Sequence, residues 1–193
     1  MGNVSRPKKT KELLCSAFAE LVREKPMHSI TVRELCDNAG VHRATFYYHY
    51  QDISEFYKEM ETEFFERLKH NYSSGTPHSV EVLFTALPLF IKGNADLCSI
   101  FYGQPTGAEV RDKIYGFLRL RYLAYINYIC GSGHPDDDWE FVVGCFINAC
   151  ITLLTLWYRS SFAASPEHMT KLMLEINEHF EPLVKSHFIP DQA

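Results

Sequence analysis

Apolar residues return at intervals of three, four and seven along almost the whole of this chain, and no stretch alternates apolar with polar as a half-buried strand would. That period predicts an all-α fold. From about Lys8 to Glu24, Leu13, Leu14, Ala17, Phe18, Leu21 and Val22 form one stripe. Pro26 ends it, because the residue before a proline disfavours helical backbone. Thr31 and Glu34 are spaced as a capping box, each side chain able to bond the other's free amide, and they open a short helix over Val32–Asn38. That helix buries Leu35 and Ala39 and stops at Gly40, which adopts positive φ at no steric cost. A third helix follows from about His42 to Tyr50.

Asp52 with Glu55 is read as a second capping box, opening a helix to Asn71 with Ile53, Phe56, Met60, Phe64 and Leu68 along one face. Ser73-Ser74-Gly75-Thr76-Pro77 reads as a turn. A helix over Ser79–Lys92 is expected to kink at Pro88, and a shorter one covers Asp96–Tyr102. Gly103-Gln104-Pro105 breaks the chain, and Thr106 with Glu109 caps a helix to Cys130. Gly131–Pro135 is expected to be a loop, with Asp136, Asp137 and Asp138 at the positive end of the next helix. Ser165 caps the last helix with Pro166 at its first position. Its stripe is Met169, Leu172, Met173, Ile176, Phe180 and Leu183.

With 193 residues, 46% hydrophobic, 22% charged and 14% aromatic, the chain has the balance of a globular protein and too many aromatics to be disordered. Its net charge of −5 is unevenly spread: residues 1–50 hold 8 basic and 5 acidic side chains, and the remainder 11 and 19. A basic front on an acidic body suggests a polyanion contact confined to the N-terminal part. The six cysteines show no Cys-x-x-Cys and no zinc-finger pairing with histidine, and the start of the chain lacks the apolar run of a signal peptide. The expectation is a cytoplasmic protein with reduced cysteines, without metal or cofactor. The run from Phe141 to Trp157 is short against the about 20 apolar residues of a spanning helix, so it is read as buried between helices or subunits rather than in a membrane.

Two short helices joined by a glycine turn suggest a helix-turn-helix. On the second, Phe46 is placed to anchor it inward, while the other face carries Arg43, which can fork onto guanine, and Thr45, His49, Tyr47 and Tyr48, which can bond bases or phosphates. Ala44 is small enough to let the helix approach the groove floor. An ordinary solvated face would carry Glu and Lys, and here neither appears.

At these residues, Ile30-Thr31-Val32-Arg33-Glu34-Leu35-Cys36-Asp37-Asn38-Ala39-Gly40-Val41-His42-Arg43-Ala44-Thr45-Phe46-Tyr47-Tyr48-His49-Tyr50, the sequence resembles the TetR family of bacterial transcriptional regulators. The close resemblance runs over about residues 8–57, and the remainder matches in architecture. It implies about nine helices: a three-helix DNA-binding domain over 1–52, then a larger helical ligand-binding and dimerisation domain over 53–193. By the same resemblance Thr31 sits where the family contacts phosphate. His42, Arg43, Thr45, Tyr47, Tyr48 and His49 lie on the recognition helix, with Tyr47 and His49 on phosphates and Arg43 and Thr45 on bases. The family's lysine near the start of the fourth helix is Ile53 here, for which Lys8, Lys9 and Lys11 could compensate.

The resemblance further implies a homodimer built from the last two helices, with Phe146, Leu153, Trp157, Met169, Leu172, Met173, Ile176 and Phe180 as interface candidates. Two recognition helices would then read a pseudo-palindromic operator in double-stranded DNA. A small-molecule effector is expected to release that DNA from a repressor. Candidate pocket residues are Phe84, Tyr115, Arg119, Tyr122, Tyr125, Asn148 and Thr152. Two other readings stay open. A helical enzyme finds no glycine-rich phosphate loop, Gly-x-Ser-x-Gly elbow or metal cluster to support it. A helical interaction scaffold that has lost DNA binding draws on the Ile53 departure and the acidic total.

Overall fold

The computed structural model describes residues 6–72, 79–102, 108–131 and 133–191. The expected turn over Ser73–Pro77, the break at Gly103–Pro105 and the cap at Thr106 fall outside them. Among the described residues there are nine α-helices and one two-stranded sheet, so the all-α class holds. The chain divides into two compact units, Met1–Lys69 with Asn94–Val110, and His70–Gly93 with Arg111–Ala193.

The first unit contains α1 (Arg6–Glu24), α2 (Val32–Ala39), α3 (Arg43–His49), α4 (Ile53–Asn71, to Lys69) and α6 (Ala95–Tyr102). Its core holds most of the predicted stripes: Leu14, Ala17, Phe18, Leu21 and Val22 of α1 and Phe56, Met60, Phe64 and Leu68 of α4 are buried, while Ile53, expected on the α4 stripe, is half-buried at the start of the helix. Leu13 departs from the expectation. It lies at the edge of the stripe and is exposed, whereas Ala19 is buried. The Asp52–Glu55 box is also shifted. Asp52 Oδ1 accepts from the Glu55 amide at 2.8 Å, but the Glu55 carboxylate reaches past Asp52 to the Gln51 amide at 2.6 Å. The tie between α1 and α4 is ionic at the rim, where Lys11 pairs with Glu59 and, at 2.7 Å, with Glu63.

The second unit holds α5 (Val80–Gly93), α7 (Ala108–Cys130, from Arg111), α8 (Trp139–Arg159) and α9 (Pro166–Ser186). Ser165 caps α9 as expected, accepting from the His168 amide at 3.2 Å. Among the aspartates, it is Asp136 that serves α8: its Oδ1 accepts from the Asp138 and Trp139 amides, both at 3.0 Å. One helix among the described residues, α8, is long and apolar enough by length and composition to cross a membrane. One side of it, from Trp139 through Phe146 to Trp157, is core of this unit.

The loop expected at Gly131–Pro135 is corrected in part. Gly133–Pro135 forms β1, antiparallel to β2 (Phe188–Pro190), with His134 opposite Ile189. Three residues are too few for alternation to show in a sequence, and the partner strand lies at the far end of the chain. The pairing requires glycine, because a Cβ at Gly133 would stand 2.5 Å from the Ile189 carbonyl oxygen.

Candidate nucleic-acid interface

The helix-turn-helix is built by local bonds. Thr31 is extended, at φ −100 and ψ 153, and its Oγ1 accepts from the Glu34 amide at 3.2 Å. In return the Glu34 carboxylate accepts from the Thr31 amide at 3.0 Å and from its hydroxyl at 2.9 Å. Gly40 takes φ 63 and ψ 32, and the Val41 amide closes back on the Cys36 carbonyl at 3.0 Å. The sharp reversal lets α3 begin after His42.

Phe46 then sets which way α3 faces. It is fully buried, with its ring 5.3 Å from Tyr50 and 6.1 Å from Phe56, and Phe56 in turn meets Phe18 edge-on at 5.4 Å. With Phe46 and the cap residue Tyr50 turned inward, His42, Arg43, Ala44, Tyr47, Tyr48 and His49 are all exposed, and Thr45 is half-buried. Tyr48 is 84% exposed, with the edge of His49 beside it. Five of the seven sequence-derived interface residues are thus exposed on α3 or its cap, and a sixth, Thr45, is half-buried there. Such a face offers a guanidinium, two phenols and two imidazoles to a groove, with a small residue between them.

Thr31, the seventh, stands exposed at the start of α2, but its one hydroxyl hydrogen is given to Glu34. Arg33 is exposed on the same short helix, with Asp37 at 3.6 Å, and the recognition-helix pattern passed it over. Of the lysines expected to compensate for Ile53, Lys9 is exposed and Lys11 is engaged by Glu59 and Glu63. The side chain of Lys8 lies outside the described part.

The Glu34 carboxyl is held down at about 2, first by the Lys25 ammonium at 2.5 Å and then by the Thr31 amide and hydroxyl. A carboxyl depressed in the folded state adds stability that is present above its unfolded value and lost as pH falls towards the folded one. The α2 cap is therefore expected to weaken from about pH 5 down to about pH 2, the loss damped by solvent because the pair is exposed. A proton-resolved titration of the Glu34 carboxyl by NMR checks this; a midpoint at an ordinary glutamate value would refute the Lys25–Glu34–Thr31 arrangement.

In the second unit a cavity of about 20 Å³ lies among α5, α7, α8 and α9. Phe84 and Tyr122, two of the seven expected pocket residues, line it. Tyr125 is buried beside it and donates to Glu181 at 3.0 Å. Tyr115 is half-buried, and Arg119 is spent on Glu140, to which its Nε donates at 2.8 Å, while lying 5.4 Å over Trp139. Asn148 and Thr152 are exposed on α8, the first bonded to the Gly144 carbonyl at 2.8 Å. Sequence reasoning missed Cys150 and Ile147 on the cavity wall, because no single helix shows it. Of the interface candidates, Phe146, Trp157, Met169 and Met173 are core of this unit, and Leu153, Leu172, Ile176 and Phe180 are half-buried.

An all-helical chain that turns α3 outward in this way has the form of a helix-turn-helix transcriptional regulator. Residues 14–60 match the family model described as bacterial regulatory proteins, tetR family, and residues 79–179 match one described as a transcriptional regulator C-terminal region. The second match alone spans over half of the chain, and the chain belongs to the tetR family of DNA-binding transcriptional regulators. No curated protein sequence gives a match. Among solved structures, a tetR-family transcriptional regulator from Streptomyces coelicolor is similar at TM-score 0.58 and 13% identity, over 96% of this chain and 89% of that one. A protein described as a transcriptional regulator, from Pseudomonas aeruginosa PAO1, gives 0.60 and 16%, over 95% and 96%. The dihydroxyacetone kinase operon activator DhaS gives 0.50 and 18%, over 93% and 98%. At these identities the likeness is one of fold.

Proposed function

We propose that this regulator is a homodimeric repressor, released from a pseudo-palindromic operator by a small-molecule effector. Residues 1–52 read the DNA, and residues 53–193 bind the effector and dimerise. The observation that carries the reading is the outward face of α3 opposite the buried Phe46. One short helix is too little surface for tight specific binding, so two copies must enter successive major grooves about 34–36 Å apart. Support for a dimer through the last two helices comes from α8. Phe141, Cys145, Asn148, Thr152 and Leu156 recur at helical spacing and are all exposed, Phe141 at 75%. A helix apolar enough to be core on both sides, with one side open, fits a second copy. The effector acts only through its preference for a dimer shape whose two α3 helices no longer match the operator. In this reading the chain carries out no reaction of its own and works in the cytoplasm.

Arg43→Ala is the direct test. The side chain is exposed and its removal leaves the fold intact, so stability should be unchanged while operator affinity drops roughly ten- to hundredfold. Fluorescence anisotropy on a fragment from upstream of its own gene measures both binding curves. Parent-like affinity in the variant would show that α3 does not read the DNA.

A further inference from the structure

Phe46 turns α3 outward, but burial of a ring is non-directional and does not by itself fix the angle of the helix. The far end of α3 is held differently. Its cap residue, Tyr50, donates its amide to the Phe46 carbonyl at 2.9 Å and sets its ring edge-on to Phe56 at 5.1 Å. A tyrosine buried this way needs a partner for its hydroxyl. The partner is the Glu59 carboxylate of α4, to which the phenol donates. Burial first, and then the charge of Glu59, pushes the phenol up to about 12, so it keeps its proton at neutral pH. Glu59 is aimed in turn. The Lys11 ammonium of α1 pairs with its Oε1 and reaches Glu63 Oε2, one turn further along α4, at 2.7 Å. The other Glu63 oxygen pairs with Arg67, whose guanidinium also donates to Asn94 Oδ1 at 2.9 Å. The cap of α3 is thereby tied to α4 and α1 by directional, charge-assisted bonds.

A cleft of about 520 Å³ lies beside this bridge, lined by Thr10, Lys11 and Leu14 of α1, His49 of α3 and Glu59 and Thr62 of α4. Across it the end of α3 is joined to its neighbours by polar bonds rather than by packed carbon. We propose that Tyr50 and Glu59 are positioning residues for DNA reading: their bond, kept in place by Lys11, fixes the angle at which α3 presents Arg43 and Tyr47 to a major groove. Neither residue touches the DNA. Lys11 is then a strut and not a phosphate contact, since a phosphate would have to displace two carboxylates from it. The proposal rests on the reading of α3 as the recognition helix.

Two variants of the full chain separate positioning from contact and from stability. Tyr50→Phe keeps the buried ring and the charge and removes the hydroxyl alone. Glu59→Ala removes the acceptor together with one negative charge. Electrostatics alone would make Glu59→Ala bind DNA more tightly, so a loss of affinity has the opposite sign. By anisotropy on the upstream fragment, each variant should bind about five- to tenfold more weakly. The double variant should bind no more weakly than either one, because both break the same bond. Tyr50→Phe should hold a scrambled fragment of equal length as well as the parent does, and its salt slope on the upstream fragment should be unchanged, because no phosphate contact is lost. Parent-like affinity of Tyr50→Phe for the upstream fragment, tighter binding by Glu59→Ala, additive losses in the double variant, or equal losses on both fragments would overturn the proposal. So would a Lys11→Gln variant whose salt slope falls by about one, since Lys11 would then hold a phosphate. Arg43→Ala tells the two failures apart. If it weakens binding and Tyr50→Phe does not, α3 reads DNA without this support; if neither weakens binding, α3 is not the reader.

Discussion

Replacing Phe46 by alanine is expected to destabilise the first unit by about 3–5 kcal/mol, a large share of the roughly 5–15 kcal/mol that holds a typical domain together. The ring is fully buried and shares its surroundings with Tyr50 and Phe56, which meet each other edge-on, and Phe56 in turn closes on Phe18. Removing it leaves a gap that α3 cannot close without moving, because the Thr45 and Phe46 amides both donate to the His42 carbonyl and the Tyr50 amide donates to the Phe46 carbonyl. Urea denaturation followed by circular dichroism gives the difference. Tyr48→Ala is the matched control: at 84% exposure it should stay within about 0.5 kcal/mol of the parent while weakening DNA binding. Parent-like stability of Phe46→Ala would mean that something else orients α3, and the outward face would lose its explanation.

Salt should act on DNA binding more strongly than any single substitution. A dimer that neutralises roughly six to ten phosphates loses about 10³–10⁵-fold in affinity between about 50 and about 200 mM salt, because each contact releases a condensed counterion. The chain as a whole is acidic, at −5, so this dependence has to come from the small basic excess of residues 1–50. Anisotropy titrations at several salt concentrations yield the slope. A helical scaffold that keeps the fold without the function would show no binding at any of them. A shallow slope with tight binding would also count against the interface, since it would mean that few phosphates are held. The arrangement at α4 bears on the size of the slope. Ile53 offers no cation, and the nearby Gln51 and Glu55 amides are already taken by carboxylates, so little phosphate contact is expected there.

The features legible from the residues are those made within one or two turns. The Thr31–Glu34 cap, the left-handed Gly40 and the inward Phe46 each depend on neighbours three to ten positions away, and each is found as read. The slip of Glu55 from Asp52 to Gln51 shows the limit of that reading, since spacing names the partners but not which of two adjacent amides is nearer. Lys11 marks the next limit. A lysine at the start of a basic helix looks free for phosphate, and only the packing of α1 on α4 shows Glu59 and Glu63 waiting for it.

Local periodicity, caps and one glycine determined that this chain is helical and that a short helix follows the turn at Gly40, because those signals act over a few residues and need no partner from elsewhere. Tertiary structure alone decided the pairing of Gly133–Pro135 with Phe188–Pro190, the use of Phe146, Met169 and Met173 as core, and the cavity drawn from four helices. A stripe of apolar residues says that a helix must be covered. Which side chains cover it is settled by the shapes of segments far apart in the chain, and no single segment carries that information.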